Sequence, residues 1–193
     1  MLKFKYIFPA YLSLLLVSSC TSCRKNNNEV IVPDVVPSAT NTGGGGGKTI
    51  EVEEPIPLVK KVMVENLSLE VPLTSRVVTD MSKDVLASIM IDEPEKLITV
   101  LAREEFTLSL DDYLIFTLRG VKASKSEVLS TSTQVINGQN AKLIESYKDN
   151  IRVYTLILLK DKIGYTLSCG TALITTDSAK ATCLEILNSF KIN

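Results

Sequence analysis

Apolar residues run almost unbroken from Ile7 to Val17, thin out between Thr21 and Thr49, and then recur with strand-like and helix-like periods to the C-terminus. The first regular period is two. Leu67 to Val71 alternates apolar and polar residues and stops at Pro72, which predicts a strand. Leu86 to Ile91 and Leu97 to Arg103 predict two more, separated by the turn-forming Asp92-Glu93-Pro94. Pro55 and Pro57 argue against regular structure just upstream.

At Ser109 the period becomes helical. Ser109-Leu110-Asp111-Asp112 has the form of a capping box: the serine hydroxyl can accept from the backbone N–H three residues on, Asp112 can answer back, and both acids suit the positive helix end. Leu110, Leu114, Thr117, Leu118 and Val121 then share one face, and the helix is expected to stop near Lys122. An antiparallel meander follows. Glu127 to Ile136 leads through Asn137-Gly138, a strong hairpin signal, into Ala141 to Tyr147. Asp149-Asn150 turns into Ile151 to Leu159, and Asp161-Lys162 into Ile163 to Cys169. Val153, Ile157 and Leu159 lie on one face of their strand and Tyr154, Leu156 and Leu158 on the other, so both faces should be covered. A last helix, opened by Thr175, Thr176 or Asp177, carries Ala179, Cys183, Ile186, Leu187 and Phe190 on one stripe. This order predicts an α+β fold, a mostly antiparallel β-sheet flanked by helices.

The apolar run before Val17 follows a basic end, Lys3 and Lys5, and is too short to span a bilayer but long enough for a signal-peptide core. It ends in Val17-Ser18-Ser19-Cys20, small residues before a cysteine, as in a bacterial lipoprotein signal. Residues 1–19 are therefore expected to be removed, leaving a diacylated and then triacylated Cys20; more than one acyl chain makes a stable membrane anchor. Cys23 is a poorer lipidation site, because Cys20-Thr21-Ser22 lacks the apolar residue before it, and reads as a free thiol. Thr21 is not Asp, so the sorting rule of enteric bacteria would send the protein to the outer membrane, facing the periplasm. Residues 20–49 form a polar tether containing Gly43 to Gly47, and residues 50–193 the globular domain. A flexible Gly-rich coil of about 26 residues spans roughly 28 Å, enough to hold a domain clear of the headgroups. Gly43 to Lys48 is not read as a phosphate loop, since neither the preceding strand nor the following helix is predicted.

Charge and composition narrow the function classes. Without Lys3 and Lys5, 19 of the 21 basic residues remain against 22 acidic ones, and the signs are interspersed. That is no footprint for nucleic acid. The chain contains no His, which removes the usual general base near neutral pH and the commonest metal ligand. Glu93, Glu95, Glu104, Glu105, Asp111 and Asp112 lack the spacing of a calcium loop and read as an acidic rim and a helix start. Ser109 and Ser189 have no His to activate them. The expectation is no enzyme, no cofactor and no metal site.

Several of these segments carry a resemblance. The short strand ending at Pro72, the Leu-Asp-Asp-Tyr helix start at Leu110 to Tyr113, the turn Val135-Ile136-Asn137-Gly138-Gln139-Asn140-Ala141 and the closing Ile186-Leu187-Asn188-Ser189-Phe190 resemble the PsbP-like superfamily. With the lipoprotein signal and tether, the chain is similar to DcrB-type bacterial envelope lipoproteins. The resemblance covers nearly all of residues 60–193 and implies a PsbP-like α/β/α sandwich. The superfamily includes a photosystem assembly subunit, a partner of a nuclear-transport GTPase and many periplasmic proteins, which share binding to a larger partner rather than catalytic residues. It implies a membrane-anchored, non-catalytic binding or assembly module with an envelope protein as partner. The alternatives are a small-ligand carrier and a His-free enzyme.

The cysteines inside the domain leave two readings open. Cys169 shares a strand face with Ile163, Tyr165 and Leu167, and Cys183 lies on the apolar stripe of the last helix. If that helix packs on that face, the pair forms a disulfide in an oxidising compartment; otherwise both are buried thiols.

Overall fold

The computed structural model describes residues 57–79, 81–92, 96–171 and 177–193. The signal segment, Cys20, Cys23, the tether, Glu93, Glu95, Thr175 and Thr176 lie outside the described residues. The elements run β1 (Leu58–Val64), β2 (Leu67–Pro72), β3 (Arg76–Thr79), β4 (Val85–Ile91), β5 (Leu97–Glu105), α1 (Leu110–Ala123), β6 (Glu127–Ile136), β7 (Gln139–Lys148), β8 (Ile151–Lys160), β9 (Ile163–Thr171), α2 (Asp177–Asn188) and β10 (Lys191–Ile192).

Strands β6 to β9 are joined by two-residue turns whose backbones sit in the left-handed region. The φ values are 47° and 79° at Asn137-Gly138, 50° and 65° at Asp149-Asn150, and 53° and 63° at Asp161-Lys162. Positive φ at both central residues matches the right-handed twist of the flanking strands, and Asn, Asp and Gly reach it at low cost. Lys162 is the exception by residue type; its carbonyl accepts from the Phe106 N–H at 2.8 Å, which braces the turn.

Among the described residues all pairings are antiparallel and build two sheets. The larger has the order β3-β4-β5-β9-β8-β7-β6 and the smaller β1-β2-β10. The single sheet expected from the sequence is thus two. β1 was hidden by Pro57 and by Lys60-Lys61, which interrupt its alternation, while β3 and β10 are too short to show a period.

The larger sheet is covered on both faces, as the apolar residues of β8 require. On one face Leu97, Leu101, Leu156, Leu158, Leu167 and Cys169 pack with α2 and with Leu67, Leu69 and Val71 of the smaller sheet. On the other, α1 seats Tyr113 against Phe106, Ile144 and Ile157. Every residue of the stripe expected on the last helix is buried: Ala179, Cys183, Ile186 and Leu187 within α2, and Phe190 just beyond it. The face expected for α1 holds at Thr117, which is buried, and at Leu110, Leu114 and Leu118, which are partly buried and pack against the cluster around Phe106; it missed Tyr113, the deepest residue of the helix.

The end of α2 locks the two sheets together. The Ser189 hydroxyl accepts from the Glu70 N–H at 2.8 Å and donates to the Ile186 carbonyl at 2.7 Å. Asn137 Nδ2 donates to the Phe190 carbonyl at 2.6 Å, and the Phe190 ring lies 6.2 Å from Tyr165. The turn and the closing segment, separate signatures in the sequence, therefore touch. Asn137→Ala loses this bond and strains a positive φ, an expected cost of about 2 kcal/mol. Asn137→Gly keeps the turn and is expected to cost about half as much, measured as urea midpoints.

Candidate functional site

Beneath α1 lies a polar cluster that the sequence did not single out. The capping box forms as expected: Ser109 Oγ accepts from the Asp112 N–H at 3.1 Å and the Asp112 carboxylate from the Ser109 N–H at 3.2 Å. The Ser109 hydroxyl also donates to the Asp112 carboxylate, and this bond first, with the one from the Ser109 N–H second, holds the Asp112 carboxyl below the usual carboxylate range. One residue on, Tyr113 is fully buried and its hydroxyl meets Glu104 Oε1 at 3.0 Å and Thr166 Oγ1 at 2.8 Å. A tyrosine hydroxyl has one proton. With that proton given to Glu104, Thr166 acts as donor to the tyrosine oxygen. Burial first, and the Glu104 charge second, push the Tyr113 hydroxyl well above its ordinary range, so it stays a proton donor.

Glu104 is itself perturbed. Burial raises its carboxyl above the ordinary value, the Tyr113 hydrogen bond opposes that, and the charge of Asp84 adds a smaller upward push. A carboxyl raised in the folded state holds its proton more tightly there, so its contribution to stability is full below the unfolded pKa and is lost as pH rises through the folded one. Glu104→Gln is therefore expected to be more stable than the parent at neutral pH, with the gap closing as pH falls below the ordinary carboxylate range. Thermal melts across pH check this; a gap that widens on acidification contradicts it.

Two further acidic residues are paired locally. Asp111 pairs with Lys142 at 2.8 Å, tying the start of α1 to β7, and Glu65 receives both guanidinium nitrogens of Arg103. Among the described residues, no group of three or more His, Cys, Asp or Glu could hold a metal ion. Cys169 and Cys183 are joined by a disulfide, Cα atoms 5.5 Å apart, which staples α2 to β9 in the core. These features give an interior held together by hydrogen bonds and one covalent link. The hydroxyl–carboxylate cluster anchors α1 to the sheet.

The periphery is less even. A sheet edge exposes unpaired N–H and C=O groups, and proteins blunt such edges with charge, bulges or brevity. β1 carries Lys60 and Lys61 and a register shift between Leu58 and Lys60; β3 has four residues and begins at Arg76; β10 has two residues. β6 has ten, and from Val128 to Ile136 it contains no Lys, Arg, Asp, Glu or Pro. Its register shifts between Val128 and Ser130, and beyond that it runs regularly to the turn. Leu129 is 43% and Val135 66% exposed. Ile136 and Gln139 flank a two-residue turn and so form a hydrogen-bonded pair; alternation then turns the backbone groups of Thr131, Thr133 and Val135 away from β7. Among the described residues no strand pairs with that side.

No protein-family model and no curated protein matches the sequence. Solved structures do. The solution structure of cyanobacterial PsbP (CyanoP) from Synechocystis sp. PCC 6803 superposes with a TM-score of 0.53 at 17% identity, covering 78% of this chain and 98% of that one. The domain thus has a PsbP-like α+β fold, and the superposition takes in nearly the whole of that neighbour. Two further structures align with lower scores. One is the PA94 protein of unknown function from Pseudomonas aeruginosa, at TM-score 0.38 and 12% identity over 58% of this chain and 81% of that one. The other is a protein from Bacteroides thetaiotaomicron VPI-5482, at 0.39 and 9% over 66% and 45%. The fold assignment rests on the first.

Proposed function

We propose that this chain is a DcrB-type bacterial envelope lipoprotein, held at the membrane by acyl chains on Cys20, whose PsbP-like domain is a non-catalytic binding or assembly module. The observation that carries the binding role is the long uncharged outer edge of β6, with Leu129 and Val135 exposed along it. An added strand would gain main-chain hydrogen bonds from Thr131, Thr133 and Val135 and apolar contact from the two exposed side chains. The sequence Val17-Ser18-Ser19-Cys20 supports the anchor, and the polar tether supports a domain held clear of the headgroups on the periplasmic face of the outer membrane. The perturbed Glu104 and Tyr113 serve α1 packing and lie against its buried face, which fits a module without chemistry of its own.

Two variants test the two halves. Intact mass of the mature chain should begin at a triacylated Cys20, and Cys20→Ser should retain residues 1–19; a mature mass without acyl chains removes the anchor. Thr133→Pro deletes an outward N–H, at an edge position where proline is tolerated. It should abolish association with the partner while leaving the thermal melt close to the parent's. Unchanged association would remove the edge from the account.

A further inference from the structure

We infer that the occupant of the β6 edge is a second copy of this chain, paired antiparallel about a two-fold axis at Ser132. This rests on the reading of β6 as the binding edge and deepens it. In a symmetric antiparallel pair, residues opposite one another sum to a constant, and both must turn their backbone groups the same way. An axis at Ser132 sets Thr131 opposite Thr133 of the other copy, and these are two of the outward-turned positions. It also sets Ser130 opposite Gln134 and brings exposed Leu129 beside exposed Val135, twice over by symmetry. An axis one residue away, at Thr131 or Thr133, puts Val135 beside Glu127 or Thr131 instead and leaves the second apolar residue without an apolar partner.

Charge points the same way. Two copies bring identical charges together, and like charges directly opposite are destabilising. From Val128 to Ile136 there are none, whereas β1, with Lys60 and Lys61, could not self-pair in this manner. The hydroxyl-rich centre, Ser130-Thr131-Ser132-Thr133, supplies the cross-strand Thr and Ser contacts that favour antiparallel pairs. Ser130 and Thr133 hydroxyls are already engaged by Glu145 at 3.2 Å and Lys142 at 3.1 Å, which fixes the strand before a partner arrives.

The axis makes a sharp geometric prediction. Ser132 and its symmetry mate form a non-hydrogen-bonded pair with Cα atoms roughly 4.5 Å apart, inside disulfide range. Ser130 lies four positions from its own mate, about 14 Å, which is far outside that range. The test uses the full chain in cells, in a Cys23→Ser background, with Ser132→Cys or Ser130→Cys under mild oxidation. The expected result is a covalent homodimer from Ser132→Cys, none from Ser130→Cys, and loss of the dimer when Thr133→Pro is added. Equal dimer from both positions overturns the axis. A mixed disulfide at position 132 with a different protein overturns the second copy as occupant but leaves the edge reading standing. A reactive, uncrosslinked thiol at position 132 overturns both.

Discussion

Replacing Gly164 by alanine is expected to destabilise the domain by about 3 kcal/mol, because the new methyl has no room. A Cβ built at Gly164 would lie 2.5 Å from Tyr113 Cζ, 2.8 Å from Cε1 and 2.9 Å from the hydroxyl oxygen. The ring cannot swing aside cheaply. It is fully buried, packs 4.7 Å from Phe106 between centroids, and its hydroxyl would have to leave both Glu104 and Thr166. The glycine thus lets α1 dock its tyrosine close against β9. A double-mutant cycle separates this from any loss of strand propensity: in a Tyr113→Leu background the alanine should cost much less, and an equal cost in both backgrounds contradicts the close-contact explanation. Urea midpoints at constant m-value give the numbers.

The second large effect concerns the disulfide. Reducing the Cys169–Cys183 bond, or removing it with Cys169→Ala and Cys183→Ala together, is expected to lower stability by about 3 kcal/mol, the chain-entropy value for a loop of this size. The two cysteines are 14 residues apart in sequence. The closed segment joins β9, at the centre of the larger sheet, to α2, whose far end holds the smaller sheet through Ser189. Loosening α2 should therefore loosen both layers on that side. The check is unfolding with and without reductant: the parent should lose stability on reduction and the double variant should be indifferent. Two extra reactive thiols in the unfolded, unreduced chain would show that the protein carries the cysteines unbonded.

The meander β6 to β9 and the helix α2 were legible because each is set by local rules. Asn137-Gly138 and Asp149-Asn150 tolerate positive φ, β8 is apolar on both faces, and the stripe from Ala179 to Phe190 has a helical period. On α1 the deepest residue was missed for a physical reason: counting aliphatic residues favours Leu110 and Leu114, whereas the deepest site goes to Tyr113, which brings both a ring and a hydrogen-bonding tip. Its partner Thr166 is distant in sequence and Glu104 lies on another element, and only Gly164, a glycine inside a strand, hinted at a close approach. The open edge was invisible for a different reason. The polar run at β6 looks like any solvated strand until the sheet order leaves its outer side unpaired. Cys169 and Cys183 could be placed on facing surfaces from periodicity; the packing of α2 on β9 brings them together.

The central claim is that an anchored domain binds through the outer edge of β6. It is tested most directly by photocrosslinking in cells from a probe at Thr133, with a second probe at Val78 on the opposite edge strand and with Cys20→Ser as the unanchored form. The account predicts a discrete protein adduct from position 133 in the anchored chain, little from position 78, and a weakened adduct when the anchor is lost. Equal labelling at both edges, or no adduct from position 133 in the anchored chain, would contradict it.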